Sequence, residues 1–426
     1  MKIVVIGGGS AVFGPAVLHD AIVDHRLAGA ELALVDADGD LARLMTDFGR
    51  ALCRATGVDT RVVSTTERRQ ALPGADFVIF SAAIQAVRRW ETDAAILRRH
   101  GLADQVRECG GLGGLAYSLR AITLAIDVAR DMERLCPNAM FLDCANPMPR
   151  VVTAIHRFSS IAPVGFCNAA WGGPRGYSRI AGWLGRDMRS IAATTAGLNH
   201  FAWALEVRDR ETGADLLPAL KEKVRDGGKP EFEILGRWLD QTGGVGASGA
   251  HHMAEFLPPE PGMTYRDHAL HGDEAWRRAR RQLLRDVADG NTDWRAVFDR
   301  RSWERPVDVA VALAKGAETS FDMVNFPNDG CMRDLPEGRI VEAPAFSRKG
   351  RLMGRPTPSL PAGVAQWCRA VSDVHELVAE GAVRGDRALL EQAVEIDPAI
   401  PDKDAARPAL AELVEAHRDL LPQFAR

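Results

Sequence analysis

The sequence predicts an α/β protein, a Rossmann-like doubly wound parallel sheet with a second α+β domain. Three observations predict it. Short apolar runs alternate with helical patterns through the first half. A glycine triplet, Gly7-Gly8-Gly9, directly follows the first apolar run and precedes a helix. After about residue 190 the alternation gives way to paired strand-like runs and longer helices, which places a boundary at residues 195/196.

Residues 2–6 (KIVVI) are a short apolar run bounded by glycine, the mark of a strand buried on both faces. A helical pattern runs from Val12 to Asp24, and 31–35 (ELALV) is the second strand, ending at Asp36. A helix over Asp40–Thr56, a strand near Thr60–Ser64 and a strand over 76–81 follow. Helical periodicity covers 89–99, 115–134 and 150–157, with strands at 139–144 and 163–166 between and after them. Further on, 191–209 reads as two strands around a turn at Gly197. Helices are predicted at 215–225, 229–242, 273–288, 307–315, 363–384, 387–394 and 406–420, with a Pro/Gly-rich loop over Phe256–Thr264.

Composition narrows the function classes. The 426 residues carry 53 Lys and Arg against 57 Asp and Glu, a net charge of −4, which gives no electrostatic argument for nucleic acid, whose phosphate backbone needs a basic face. No run of about 20 uninterrupted apolar residues argues for a membrane span. Nucleic acid and membrane are therefore not expected partners. The N-terminus enters a strand at once, with no secretory signal pattern, so a cytoplasmic location is expected. Seven irregularly spaced cysteines without a CxxC pair fit free thiols in a reducing compartment.

The glycine triplet and Ser10 sit between strand and helix, where the backbone turns tightly and a pyrophosphate meets the helix N-terminus. Gly7 and Gly9 match the start of the dinucleotide fingerprint, whereas the third glycine is ambiguous: position 12 is Val12 and Gly14 comes two later. Asp36 ends the second strand, where a carboxylate accepts from both ribose hydroxyls and repels a 2′-phosphate. The order strand, glycines, helix, strand, acid points to NAD.

Beyond this fingerprint, ordered blocks cover almost the whole chain: IGGGSAVFGP (6–15), GADFVIFSAAIQAVRRWETD (74–93), GGLGGLAYSLRAI (110–122), CANPM (144–148), GFCN (165–168), GLNHFAW (197–203), HMAEFLP (252–258), VNFPNDGCMRDLPEGRIVE (324–342) and GDRALLEQAVEIDP (385–398). With these blocks the chain resembles glycoside hydrolase family 4, the NAD- and divalent-metal-dependent glycosidases that share ancestry with lactate and malate dehydrogenases. The resemblance implies an NAD-binding domain over 1–195 and a substrate-binding and oligomerisation domain over 196–426. It implies Cys167 and His200 as ligands of a divalent metal, usually Mn²⁺. It also implies glycoside cleavage by transient oxidation at sugar C3, deprotonation at C2, elimination and water addition, a scheme distinct from two-carboxylate glycosidases. Asn146 is implied at cofactor and substrate, Ser81 at the cofactor, Asn199 near the sugar, and a homodimer or homotetramer as the assembly.

The chain departs from the family pattern at two places. After Cys167 comes Asn168-Ala169-Ala170, without the usual proline. Asparagine is no proton donor, so Asn168 is expected to orient the sugar. The family's catalytic tyrosine has no counterpart among Tyr117, Tyr177 and Tyr265 at the expected spot. His251 or His252 could take the proton, an imidazole titrating near neutrality, with Tyr265 as rival. Arg88 follows the fourth strand, where the family places a substrate arginine, and Arg107 lies in the next loop. Such arginines suit an anionic sugar: a uronate, phosphosugar or sulfosugar. Two alternatives remain: an NAD-dependent 2-hydroxy-acid dehydrogenase, in which the Cys–His pair has no task, and an inactive NAD-responsive sensor.

Overall fold

A computed structural model describes residues 1–171, 177–261, 263, 265, 274–298 and 304–425. Within the predicted loop Phe256–Thr264, residues 262 and 264 lie outside the described set, as does residue 273 of the predicted helix 273–288.

The first apolar runs become parallel strands because both sheet faces are covered by helices. In β1 (Lys2–Ile6) and β2 (Glu31–Val35), Ile3, Val5, Leu32 and Leu34 pack into one core, and Val4, Ile6, Ala33 and Val35 into the core on the opposite face. Strands β3 (Arg61–Thr65), β4 (Phe77–Phe80), β5 (Met140–Asp143) and β6 (Pro163–Gly165) complete a parallel array in the order β3-β2-β1-β4-β5-β6. Ile3 lies opposite both Leu32 and Phe77, and Phe77 opposite Met140. This is the Rossmann order, whose ligand crevice opens at the carboxyl ends near the β1/β4 reversal.

The sheet does not stop at β6. It continues antiparallel through β10 (Thr319–Pro327), β11 (Ile340–Arg348), β7 (Ile191–Leu198), β8 (Phe201–Asp209) and β9 (Val245–Gly246), with β12 (Arg351–Gly354) beside β11. Asn325 pairs with Gly165, and Glu342 with Gly197, so a single ladder crosses from the parallel to the antiparallel half. The β7–β8 turn is not at Gly197. Gly197 pairs with Ala202 inside the ladder, and the two-residue connection is Asn199-His200, with His200 at φ 60°. Asparagine and histidine tolerate that left-handed region better than branched residues do.

Most predicted helices form close to their expected bounds, including Gly39–Thr56, Gly111–Leu135 and Ala362–Arg384. Helix Gly39–Thr56 starts where the Asp38 carboxylate accepts from the Asp40 and Leu41 amides, and stops at Gly57 in the left-handed region. Helix Gly111–Leu135 is, among the described residues, long and apolar enough to cross a membrane, but 83% of its apolar window is buried inside the protein. Its Arg120 is paired there with Asp93 at 2.6 Å.

Candidate functional site

A cavity of about 370 Å³ opens at the carboxyl ends of β1, β4, β5 and β6. Each strand end contributes to its wall: Phe13 after β1, Ser81 to Ala83 after β4, Cys144 to Asn146 after β5, and Phe166 to Ala169 after β6. The far wall holds His200 from the β7–β8 turn, His252, Arg179 and Glu304, while Glu108 and Tyr117 come from the loop and helix after β4.

The glycine loop sits at the β1 edge of this cavity. Gly7 and Gly8 both donate to the Val35 carbonyl, at 2.8 and 3.0 Å, and Gly9 donates to Asp36 Oδ2 at 2.9 Å. A Cβ on Gly9 would stand 2.7 Å from that oxygen, so only glycine lets the loop lie against Asp36. Gly14 resolves the third-glycine ambiguity. A Cβ there would come within 2.7 Å of the Gly8 carbonyl, so Gly14 sets the close packing of helix Phe13–His19 on the loop. Ser10 Oγ accepts from the Phe13 amide at 3.2 Å and caps that helix. Ser81 Oγ donates to the Ile6 carbonyl at 3.3 Å. Asp36 uses one lone pair on Gly9 and another on the Asp38 amide at 3.0 Å. A carboxylate has about four acceptor positions, so capacity for two hydroxyls remains. The cradle fits a dinucleotide.

Cys167 and His200 share the cavity wall, as the sequence predicted they should if they hold one ion. Burial, with the Glu342 and Glu304 carboxyls nearby, pushes the Cys167 thiol up to about 12, while a hydrogen bond from the Asn199 side chain pulls it back. Asn199 Nδ2 also donates to Glu342 Oε2 at 3.0 Å, and Asn325 Nδ2 donates to the same oxygen at 3.0 Å. Burial lifts Glu342 itself to about 7. Asn199 Oδ1 and Glu342 Oε1 are buried with no partner among the described residues. A sulfur and an imidazole beside an unsatisfied amide oxygen, facing an open cavity, suit a divalent cation with positions left for substrate oxygens. Asn199 thus supports Cys167 from behind rather than lining the cavity.

Of the three candidate bases, His252 lines the cavity, with its ring centroid 4.7 Å from that of His200 in an edge-on arrangement. His251 lies behind it, 6.0 Å from His252 between centroids, and is not part of the wall. Tyr265 packs elsewhere: the Arg107 guanidinium lies 4.0 Å over its ring, and its hydroxyl accepts from the Glu260 amide at 3.4 Å. Asn146 lines the cavity and donates to Glu108 Oε1 at 3.1 Å; Asn168 lines it beside Cys167.

The two substrate arginines suggested by the sequence stand outside the cavity wall. Arg88 is exposed on helix Ala86–Arg99. Arg107 is buried and donates to the carbonyls of Asp104, Ala254, Glu255 and Leu257 at 2.7 to 3.1 Å. It fastens the 104–110 loop to the 254–257 segment. Sequence reasoning missed Glu108, Arg179, Glu304 and Glu342, and set aside Tyr117, which lines the cavity. Glu342 alone carried a signal, an acid inside the apolar run IVEAP, where an unpaired carboxylate is costly.

Comparison with known proteins settles the family. Residues 2–180 match the model of the family 4 glycosyl hydrolases, and residues 195–400 match that of their C-terminal domain. The chain belongs to glycosyl hydrolase family 4. The family 4 chain is 27% identical to an α-galactosidase of Bacillus subtilis, over 99% of both chains. It is 26% identical to an α-galacturonidase of the same organism, over 94% of this chain and 93% of the relative. Its fold is similar, with a TM-score of 0.80 and 20% identity over 99% of both chains, to that of a 6-phospho-α-glucosidase from gut microorganisms solved with NAD and Mn²⁺. As a family 4 glycosidase it is not the hydroxy-acid dehydrogenase that the glycine loop alone would also allow.

Proposed function

We propose that this family 4 enzyme is an NAD-dependent, metal-assisted glycosidase acting on a glycoside whose sugar carries a negative charge. Cleavage proceeds by transient C3 oxidation, C2 deprotonation, elimination and water addition. The observation that carries the reading is convergence: Phe13 just after the glycine loop, Ser81, Cys167, His200 and His252 all wall one cavity. When bound, NAD would supply a reversible hydride acceptor and a divalent ion a Lewis acid. Gly7, Gly9, Ser10, Ser81 and Asp36 would hold the dinucleotide, with Asn146 between it and the sugar. Cys167 and His200 would hold the ion, steadied by Asn199. Asn168 orients the sugar. His252 accepts the C2 proton, because it is the one of the three candidates that faces the cavity. Of the relatives named above, the α-galacturonidase supports an anionic glycone, while the α-galactosidase makes the neutral arm of the test necessary.

The test is a panel of nitrophenyl glycosides, neutral and anionic, assayed with and without NAD and Mn²⁺, with a C2-deuterated substrate for the best of them. Turnover that requires NAD yet accumulates no NADH, with deuterium lost to solvent, is expected. Stoichiometric NADH would refute the scheme. NAD binding without cleavage of any glycoside would favour the sensor. The expected homodimer or homotetramer is checked by light scattering on the same preparation.

A further inference from the structure

We infer that Arg179 is the receptor for the anionic group of the sugar, an inference that rests on the glycosidase reading above. Arg179 lines the same cavity as Asn168, Ala169, Glu108 and Asn146. Its Nη1 donates to two carbonyls, Ala169 at 2.6 Å and Ala247 at 2.9 Å. Those carbonyls belong to stretches that follow β6 and β9, so the guanidinium is fixed from two sides before any ligand arrives. Among the described residues, no carboxylate lies within ion-pair distance of it. The nearest acidic influence is Glu231, whose Oε1 accepts from the Ala250 amide at 3.2 Å.

Nε and Nη2 have no acceptor among the described residues, and they belong to a side chain on the cavity wall. A half-buried guanidinium held by carbonyls through Nη1, with the three N–H groups of Nε and Nη2 left over, is a preformed half of a fork. The oxygens of a carboxylate, a phosphate monoester or a sulfo group match that fork; a neutral hydroxymethyl group does not. Burial lowers the proton affinity of Arg179, and the Glu231 carboxylate, which stands beyond ion-pair distance, raises it back in part. The sequence-predicted Arg88 and Arg107 are placed outside the cavity, which leaves Arg179 as its arginine among the described residues.

The experiment compares kcat/KM for matched neutral, uronic, 6-phospho and 6-sulfo aryl glycosides in the wild type, Arg179→Gln and Arg179→Lys. The ratio of the best anionic substrate to its neutral counterpart is expected to fall about 100-fold in Arg179→Gln, the scale for losing charged hydrogen bonds. A fall of about tenfold is expected in Arg179→Lys, which keeps the charge but not the fork. The four arms separate carboxylate, phosphate and sulfo recognition. Arg179→Gln frees two carbonyls and could lower stability, so inorganic sulfate and phosphate binding to the wild type and Arg179→Lys is measured by calorimetry, independently of turnover. Competition of sulfate or phosphate with substrate, weakened in Arg179→Lys, supports the receptor. If the wild type cleaves no glycoside, the glycosidase reading fails, and the calorimetry alone decides the anion site. If neutral glycosides turn over as well as anionic ones, or both variants keep the preference, Arg179 is overturned while the glycosidase stands.

Discussion

Glu255 offers a sharp test of how the site loop is held. It is buried at the end of the 252–258 segment, and its Oε2 accepts from the Cys109 amide at 2.6 Å. Burial and the neighbouring Glu108 raise its proton affinity from the ordinary glutamate value near 4.5 to about 8, against the pull of the Cys109 amide and Arg107. The folded protein therefore holds a proton on Glu255 at neutral pH that the unfolded chain has released. The stabilisation is complete below pH 4.5 and is lost as pH rises through 8. At 1.36 kcal/mol for each tenfold change in proton affinity, the whole span is worth about 5 kcal/mol. With an unfolding entropy of about 2.1 cal/mol/K per residue, a chain of this length changes by about 0.9 kcal/mol per degree, so this group lowers Tm by about 5 °C between pH 5 and 9. Glu255→Gln mimics the protonated form, and its amide oxygen still accepts from Cys109. Calorimetric Tm of the wild type minus that of Glu255→Gln, followed against pH, cancels every other titration. It should be near zero at pH 5 and about −5 °C at pH 9. Two parallel curves would refute the burial argument.

Other consequences are as direct. Gly9→Ala brings a Cβ to 2.7 Å from Asp36 Oδ2, so NAD affinity should fall at least about tenfold by calorimetry, with the far-ultraviolet spectrum unchanged. His252→Gln should lower kcat by about 10² to 10⁴-fold and remove one limb of the pH profile, while His251→Gln changes kcat less than about tenfold. Mn²⁺ binding measured by electron paramagnetic resonance should persist in His252→Gln; its loss would make His252 a ligand instead of the base. Arg107→Met strips four carbonyls of a charged donor and should cost about 3–5 kcal/mol, a fall in Tm of about 4 °C.

The parallel half of the fold was legible because a strand covered on both faces leaves an apolar run, and the helices between leave a 3.6-residue period. The antiparallel half was harder. In β10 the stretch Met323–Phe326 is buried without a break, and in β11 so is Ile340–Ala345, runs without the period-two alternation that marks a one-sided strand. Pro327 and Pro344 in β10 and β11 also argue against strands on propensity. The β7–β8 turn was misplaced by two residues for a related reason. Glycine is the usual turn signal, yet Gly197 serves here as the ladder partner of Ala202 and Glu342 while Asn199 and His200 make the turn. Cys167 and His200, picked out by their sequence blocks, do line one cavity. Arg88, Arg107 and Arg179 were not separable, since an arginine's exposure, staple or cavity position depends on contacts 10 to 150 residues away.

That misplaced turn explains why the metal pair does not depend on loop flexibility. Cys167 follows β6 by two residues, and His200 follows β7 by two. Between these strand ends the sheet runs β6-β10-β11-β7, with Gly165 opposite Asn325 and Glu342 opposite Gly197 on one continuous rung. Asn325 itself pairs with Glu342, and the Glu342 carboxylate collects the amides of Asn325 and Asn199. Sulfur and imidazole are thus spaced by three strand-to-strand steps and one buried carboxylate. Altering that spacing would break ladder bonds and leave the buried Glu342 carboxylate without its amide donors. The sequence blocks GFCN, GLNHFAW and VNFPNDGCMRDLPEGRIVE therefore act as one unit: the first two carry the proposed ligands Cys167 and His200, and the third is the ruler between them.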